Sequence, residues 1–443
     1  MNMTTMESHT DMTSENPGLR SARAPAGAAV AAVLAVLLSG CDVTNPGPVR
    51  DEFLDLAPAH QALVNGAGAR FVQALGYITN HSAFAAREVF PTGNCCGNPN
   101  QTPLMQAGRL IPEQSLTYWT TAHQSRWIAE DAIRRFTALG TGKVTAGILT
   151  EAHLWAGYSN RLLGENMCEA VFDGGPKQAN AKYFERAQAA FTNAINIAPA
   201  GNFKTAAYAG RASVRLWLKD YAGATSDAQQ VPLAFVYTVV TDPSNQATQN
   251  NVYWNNANSP YRSYSSFTTW YLGYYGQTGD PRVPIGTNAA IPFGNATLTG
   301  FGLVPWSFQQ KYPATNTPFR LSTGREMVLV RAEALLSAGD FAGAMTLINS
   351  IRTNQISRLN SQPLAPWTAT NITEAWTFLK RERAIELWLE ARRLGDLRRW
   401  DENKTPGAVD WPNWEGVSTL FKENPPSKCF PIPIEEADTN PNF

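Results

Sequence analysis

Five stretches of the chain repeat apolar residues three or four positions apart, the spacing that gathers them on one face of an α-helix. They cover residues 118–136, 150–163, 182–197, 205–218 and 325–336. The third is the most informative. Phe184, Ala187, Phe191, Ala194, Ile195 and Ala198 share one face, and Pro199 stops the helix. Residues 232–319 break the pattern, being dense in Gly, Pro, Asn and Thr with no sustained helical period. An irregular stretch of that length inside a folded chain is more often functional than idle. The pattern predicts an all-α, mainly helical protein with helix pairs over roughly 110–231 and 320–400. A large loop-rich insertion at roughly 232–319 interrupts them within a single domain spanning 51–443.

Two segments are near copies: Leu218-Lys219-Asp220-Tyr221-Ala222-Gly223-Ala224 and Ala338-Gly339-Asp340-Phe341-Ala342-Gly343-Ala344. In each, a helix ends, an aromatic packs back into the turn, and small residues let the next helix approach. The helix closed by Pro199 resembles the second helix of a tetratricopeptide hairpin. The two copies lie 120 residues apart, not at the ~34-residue period of a regular array. The chain has helix pairs but is not a uniform solenoid.

The N-terminus reads as an address. Residues 24–38 carry no charge and are mostly Ala, Val and Leu, with Arg20 and Arg23 before them and Leu38-Ser39-Gly40-Cys41 after. The run is shorter than the ~20 residues needed to span a bilayer, and its flanks are those of a secretory signal. The Cys at the cut site resembles a bacterial lipobox, which implies that residues 1–40 are removed, that Cys41 is acylated, and that 41–50 form a lipidated tether. A buried N-terminal helix is the alternative. Met12 is a second candidate start.

Composition narrows the function. The chain has 36 basic and 36 acidic side chains, is 16% charged and 11% aromatic, and holds 13 Trp, 14 Tyr and 20 Phe. A neutral chain is poorly suited to nucleic acid, where phosphate neutralisation dominates affinity. The excess of rings suits a neutral ligand. Beyond Cys41, Cys95, Cys96, Cys168 and Cys429 permit two disulfides in an oxidising compartment, with the pairing open. The five histidines are scattered and no metal-ligand spacing appears, so no metal site is expected.

The charges that remain concentrate near the C-terminus. Residues 375–400, predicted as one helix, carry Leu379-Lys380-Arg381-Glu382-Arg383-Ala384-Ile385-Glu386-Leu387, then Glu390-Ala391-Arg392-Arg393, then Asp396-Leu397-Arg398-Arg399-Trp400. This run resembles the signature of the SusD/RagB family of nutrient-uptake lipoproteins, with Ala391 where Gly is commonest. Asp280-Pro281-Arg282, Lys311-Tyr312, Ala332-Glu333-Ala334, Ile348-Asn349-Ser350-Ile351-Arg352, Phe430-Pro431-Ile432-Pro433 and Asn440-Pro441-Asn442 follow the family's order, and Phe53-Leu54-Asp55 also fits.

The resemblance implies a tetratricopeptide-like scaffold exposed at the outer membrane through its lipid. It implies a lid on a SusC-like TonB-dependent outer-membrane transporter that captures oligosaccharide or peptide without catalysis or cofactor. The residues alone add a caution. Glu382, Glu386 and Glu390 fall at i, i+4 and i+8 on the predicted helix, where like charges repel unless paired. A structural ion-pair network with Arg383, Arg392 and Arg393 is the expected reading. Acid–base work in a secreted all-α glycoside hydrolase is the alternative.

Residues 251–276 are the expected ligand surface. They hold Tyr253, Trp254, Tyr261, Tyr264, Phe267, Trp270, Tyr271, Tyr274 and Tyr275, with Asn251, Asn255, Asn256 and Asn258 and a single charge, Arg262. Flat rings suit the C–H faces of sugars, while amides and phenols suit their hydroxyls. Tyr274, Tyr275 and Trp306 are expected to be exposed and the Trp270-Tyr271-Leu272 triplet to pack. The candidate substrate-binding residues are Tyr274, Tyr275, Trp306, Trp270, Tyr264 and, from a loop that the resemblance places in the ligand arc, Asn94 and Asn98. Trp411 and Trp414 read as an exposed pair at a transporter interface. No Gly-x-Ser-x-Gly elbow, His-Glu-x-x-His or Walker loop is present.

Overall fold

The periodic segments fold as helices that pack in sequential antiparallel pairs. The computed structural model describes residues 50–93, 102–298, 301–410, 423 and 425–443, so the leader, Cys41, Asn94, Cys95, Cys96, Asn98, Trp411 and Trp414 lie outside the described residues. Residues 51–443 form one compact unit.

The helices are α1 (Ala57–Ala85), α2 (Leu116–Leu139), α3 (Ala146–Asn166), α4 (Ala181–Ile197), α5 (Asn202–Trp217), α6 (Tyr221–Ala228), α7 (Asn251–Asn256), α8 (Trp270–Thr278), α9 (Gly324–Ser337), α10 (Phe341–Arg352), α11 (Ile372–Glu386) and α12 (Arg393–Glu402). The short strands that join them include β1 (Phe90–Pro91), β2 (Val236–Val239), β3 (Tyr264–Ser265), β4 (Ile285–Thr287), β5 (Ser307–Gln309) and β6 (Phe319–Thr323). All pair antiparallel, β1 with β3, β2 with β6 and β4 with β5.

The stripe read on α4 is the one it buries, through Phe184, Ala187, Phe191, Ala194 and Ile195. Phe191 reaches between two neighbours because both present glycine. A Cβ on Gly157 of α3 would sit 2.6 Å from its ring, and one on Gly210 of α5 would sit 2.4 Å away. Interiors are close-packed, so these glycines set how near the three helices come.

The two near-copy turns share one mechanism. Lys219 and Gly339 take left-handed backbone angles of +59° and +89°. Asp220 and Asp340 then accept from the N–H of Gly223 and Gly343 at 2.8 Å, capping α6 and α10. The small residue serves the cap itself, since a Cβ on Gly223 would lie 2.1 Å from the Asp220 carboxylate.

Two features depart from the sequence reading. The longest helix, α1, was not among the predicted ones, because its run of Gly, Ala, Asn and Ser carries little apolar contrast; Phe71, Ile78 and Phe84 are nonetheless buried along it. The predicted helix over 375–400 is broken. It ends at Glu386, turns through Leu389 (φ +57°) and Ala391 (φ +58°), and resumes as α12. Glu390 therefore leaves the stripe of Glu382 and Glu386. The turn is held from outside, by Glu88 accepting from the Leu389 N–H at 3.0 Å and by Asn166 donating to the Ala391 carbonyl at 3.2 Å. Cys168, just after α3, is disulfide-bonded to Cys429. No described helix is long and apolar enough to cross a membrane.

The Ala391 backbone yields a prediction. A left-handed angle costs a residue with a Cβ about 1–2 kcal/mol, which offsets the buried methyl that glycine would lose. Ala391→Gly is expected to change unfolding free energy in urea by less than about 1 kcal/mol. Ala391→Val, β-branched in the same geometry, is expected to lower it by more than about 2 kcal/mol.

Candidate functional site

The insertion is fastened to the helices by charge. Asp280 and Arg282, just after α8, are buried and paired at 2.8 Å, and Arg282 reaches Glu382 at 2.5 Å and Glu386 at 3.4 Å on α11. Arg325 of α9 holds the other oxygen of Glu386 at 2.7 Å. Trp367 donates its indole N–H to Glu382 at 3.0 Å. Further buried pairs join Glu326 to Arg392, and Glu333 and Asp396 to Arg383 and Arg399. Burial pushes the Asp396 carboxyl up, but Arg383 and Arg399 outweigh it and hold it down at about 2. Glu382 and Glu386 are thus shut from solvent and engaged on both oxygens. The stripe is structural, as expected, but its partners are Arg282, Arg325 and Trp367 in place of the expected Arg383, Arg392 and Arg393, and this engagement leaves the two carboxylates unable to flank a glycosidic bond.

Several rings expected at the surface belong to this mount instead. Tyr274 is buried: its hydroxyl donates to Asp280 at 2.8 Å and accepts from Arg352 at 2.8 Å. Burial, then the Asp280 charge, pushes its phenol well above the usual range. Trp306 is buried too, its indole N–H donating to the Asn256 carbonyl at 2.9 Å. The expectation of exposure for Tyr274 and Trp306 is corrected on that account, since a polar tip with a partner inside lets the whole ring go in. Tyr264 is buried on β3 and stacks near Phe84. Trp270 stacks on Tyr274 at 4.6 Å and stays partly exposed, as does Tyr275. Asn251 and Asn256 are buried as well, pinning α7 to Asn80 of α1 at 3.1 and 2.9 Å.

A different pair of rings faces outward. Trp254, on α7, and Tyr261, beyond the following turn, stand 4.8 Å apart and are both partly exposed. The sequence offered one signal for them, the Asn258-Ser259-Pro260 turn that folds one ring back toward the other. Arg262 then takes a left-handed backbone angle of +33°. Its guanidinium lies 5.9 Å from the Trp306 ring centre and donates to the Phe293 carbonyl at 3.1 Å and to the Ser259 carbonyl. Thr92 joins the same point, donating through its hydroxyl to the Arg262 carbonyl at 2.7 Å and through its N–H to the Ser263 carbonyl at 2.8 Å. Gly93 packs so tightly on Asn295 that a Cβ there would fall 1.7 Å from the side-chain oxygen. The chain ends of 90–93, 259–264 and 293–295 therefore meet beside the ring pair, with Phe293 42% exposed.

This arrangement offers ring faces, amides and carbonyls on a fixed mount. It offers no acid–base pair. Among the described residues no cluster of three His, Cys, Asp or Glu is placed to hold a metal. Burial holds His81 at about 4, His123 at about 3 and His153 at about 4. A cavity of about 530 Å³ lies between Arg87, Leu394, Trp400 and Pro426.

With the geometry in place, comparison with known proteins is informative. The family model described as "SusD family" matches residues 169–443. No functionally curated protein matches the chain. Among solved structures, a SusD superfamily protein from Bacteroides vulgatus superposes with a TM-score of 0.63 at 13% identity, covering 87% of this chain and 98% of its own. Another from Bacteroides thetaiotaomicron gives 0.63 at 17% identity, with the same coverage. Surface glycan-binding protein A from Bacteroides uniformis gives 0.58 at 14%, covering 88% and 99%. At these identities the likeness is one of fold.

Two predictions follow from the buried charges. Removing one partner of a buried pair strands the other, so Arg282→Ala is expected to lower unfolding free energy by about 3–5 kcal/mol in chemical denaturation, with Arg282→Lys recovering part of it. Glu88 works in the opposite sense to Asp396. Burial raises its carboxyl to about 7 from 4.5, against the Leu389 N–H, Arg393 and Lys311, which lower it, and with Glu390 adding to the rise. An acid so raised stabilises fully below about pH 4.5, and that contribution is lost as the pH climbs through 7. Glu88→Gln should therefore match the parent at pH 4.5 and exceed it at pH 8 by up to about 3 kcal/mol. Parallel melts at the two pH values check the sign.

Proposed function

This chain belongs to the SusD family, and from that premise we propose that it is a surface-exposed substrate-binding lipoprotein. It captures oligosaccharide and acts as the lid of a TonB-dependent outer-membrane transporter of the SusC type, without catalysing a reaction. Anchoring is through lipid on Cys41. The observation that carries the binding reading is the Trp254–Tyr261 pair, two partly exposed rings 4.8 Å apart beside Phe293. Rings left at a surface while their neighbours are packed away form a platform for the C–H face of a sugar.

The family supplies the rest. A solved protein of similar fold is a surface glycan-binding protein, which favours a glycan over a peptide here. The glycoside hydrolase alternative loses its motivation, because Glu382 and Glu386 are consumed by Arg282, Arg325 and Trp367.

The lid role is tested by purifying the lipidated chain from detergent-solubilised outer membranes. A β-barrel partner of roughly 100 kDa is expected to be retained, and its absence under gentle detergent counts against the pairing. Binding is tested on the platform. Each ring contact contributes about 0.5–1.5 kcal/mol, so Trp254→Ala with Tyr261→Ala should weaken binding of a glycan ligand about tenfold with little change in melting temperature. Unchanged affinity would remove this pair from the site.

A further inference from the structure

The insertion carries almost no charge. Across residues 251–279 and 283–310 the only Asp, Glu, Lys or Arg is Arg262. At the chain's average of 16% charged residues, about nine would be expected, and soluble surfaces are ordinarily about a quarter to a third charged. Burial does not account for the deficit. Ser259, Gln277, Asn288, Phe293, Leu303 and Gln310 are all exposed within these segments. What would normally keep such a surface wet has been left out over two stretches that meet at one place.

The single charge is already committed. Arg262 donates to two backbone carbonyls, of Phe293 and Ser259, and its guanidinium lies over Trp306. Of the charges that border the segments, Asp280, Arg282 and Lys311 are turned inward, while Asp242 and Arg358 stay exposed. Asp280 and Arg282 are buried and matched to Glu382 and Glu386. Lys311 donates to Glu390 and to the Trp388 carbonyl, both at 2.6 Å.

From this we infer that the capture face selects an uncharged oligosaccharide and discriminates against uronate-bearing, sulfated or sialylated glycans and against peptides with ionised side chains. This inference rests on the reading of the face as a capture surface and adds the chemical class of what it captures. The physical ground is desolvation. An ionic group brought against rings, amides and carbonyls gives up water without gaining a counter-charge. A neutral sugar exchanges hydroxyl–water bonds for hydroxyl–amide bonds at little net cost and gains contact with the ring faces. Selectivity then arises because residues 251–279 and 283–310 hold no uncommitted charge of their own to reward the wrong ligand.

The test uses the full lipidated chain in detergent on an array holding neutral oligosaccharides (malto-, cello-, xylo- and manno-series), acidic ones (oligogalacturonate, chondroitin sulfate fragments, sialylated glycans) and a tryptic peptide set. The best neutral binder is then measured by calorimetry from 20 to 500 mM NaCl. The expected result is that neutral members bind at least about tenfold tighter than acidic members or peptides, with affinity changing less than about twofold across the salt range, as for an interface without ion pairs. An acidic glycan or charged peptide as the tightest ligand, or a steep loss of affinity with salt, overturns the inference while leaving capture itself intact. Binding to no member overturns the capture reading and the inference with it.

Discussion

The contact between Arg282 and the glutamates of α11 is the constraint on which the rest of the structure depends. It joins a helical scaffold to an insertion with little regular structure of its own. Buried ion pairs are weak sources of net stability, because desolvation takes back most of what attraction supplies. Their effect here is selective. Glu382, Glu386, Glu326, Glu333 and Asp396 are all shut from solvent, and each is tolerable only where its guanidinium partner arrives from another element. An insertion that docked one turn away would part the Asp280–Arg282 pair from Glu382 and Glu386 and leave one oxygen of each glutamate buried without its guanidinium. The network therefore excludes alternative seatings more than it deepens the correct one.

The surface chemistry follows from where those charges went. The Glu-Arg run and the Asp280-Pro281-Arg282 element gather a large share of the charge into the interior, while residues 251–279 and 283–310 are left with one arginine that is itself occupied. The aromatic residues divide in a complementary way. Tyr264, Tyr271, Tyr274 and Trp306 are buried, and Tyr271, Tyr274 and Trp306 donate from the ring's polar atom to a main-chain carbonyl or a carboxylate. They build the mount. Trp254, Tyr261 and Phe293 stay outside it, so rigidity comes from one set of rings and contact from another.

How much of this was legible in the sequence depends on how local each determinant is. The stripe of α4, the Pro199 stop and the Asp-capped turns at 220 and 340 are local and were readable. The structural role of Glu382 and Glu386 was readable only in part, since their guanidinium partners, Arg282 and Arg325, come from other elements and not from the interleaved arginines. The break between α11 and α12 was not, because Leu389 and Ala391 have no turn chemistry. Their left-handed angles are held by Glu88 and Asn166, residues more than 200 positions away. The exposure of individual rings was illegible for the same reason. Tyr274 and Tyr275 are neighbours of one type, and what sets Tyr274 apart is that its hydroxyl meets Asp280, six positions on, and the distant Arg352.

That dependence on distant partners also explains why mount and platform can change at different rates. Tyr274 cannot be altered without stranding Asp280 and Arg352, and Trp306 cannot be altered without freeing the Asn256 carbonyl that α7 presents to it. Trp254 and Tyr261 are under no such obligation. Their recorded ring contact is with each other, and α7 is held through Asn251 and Asn256 on its other face. A fold arranged this way can keep its buried charges while its partly exposed rings are exchanged, so the Glu-Arg run that marks the scaffold lies apart from the rings proposed to meet the ligand.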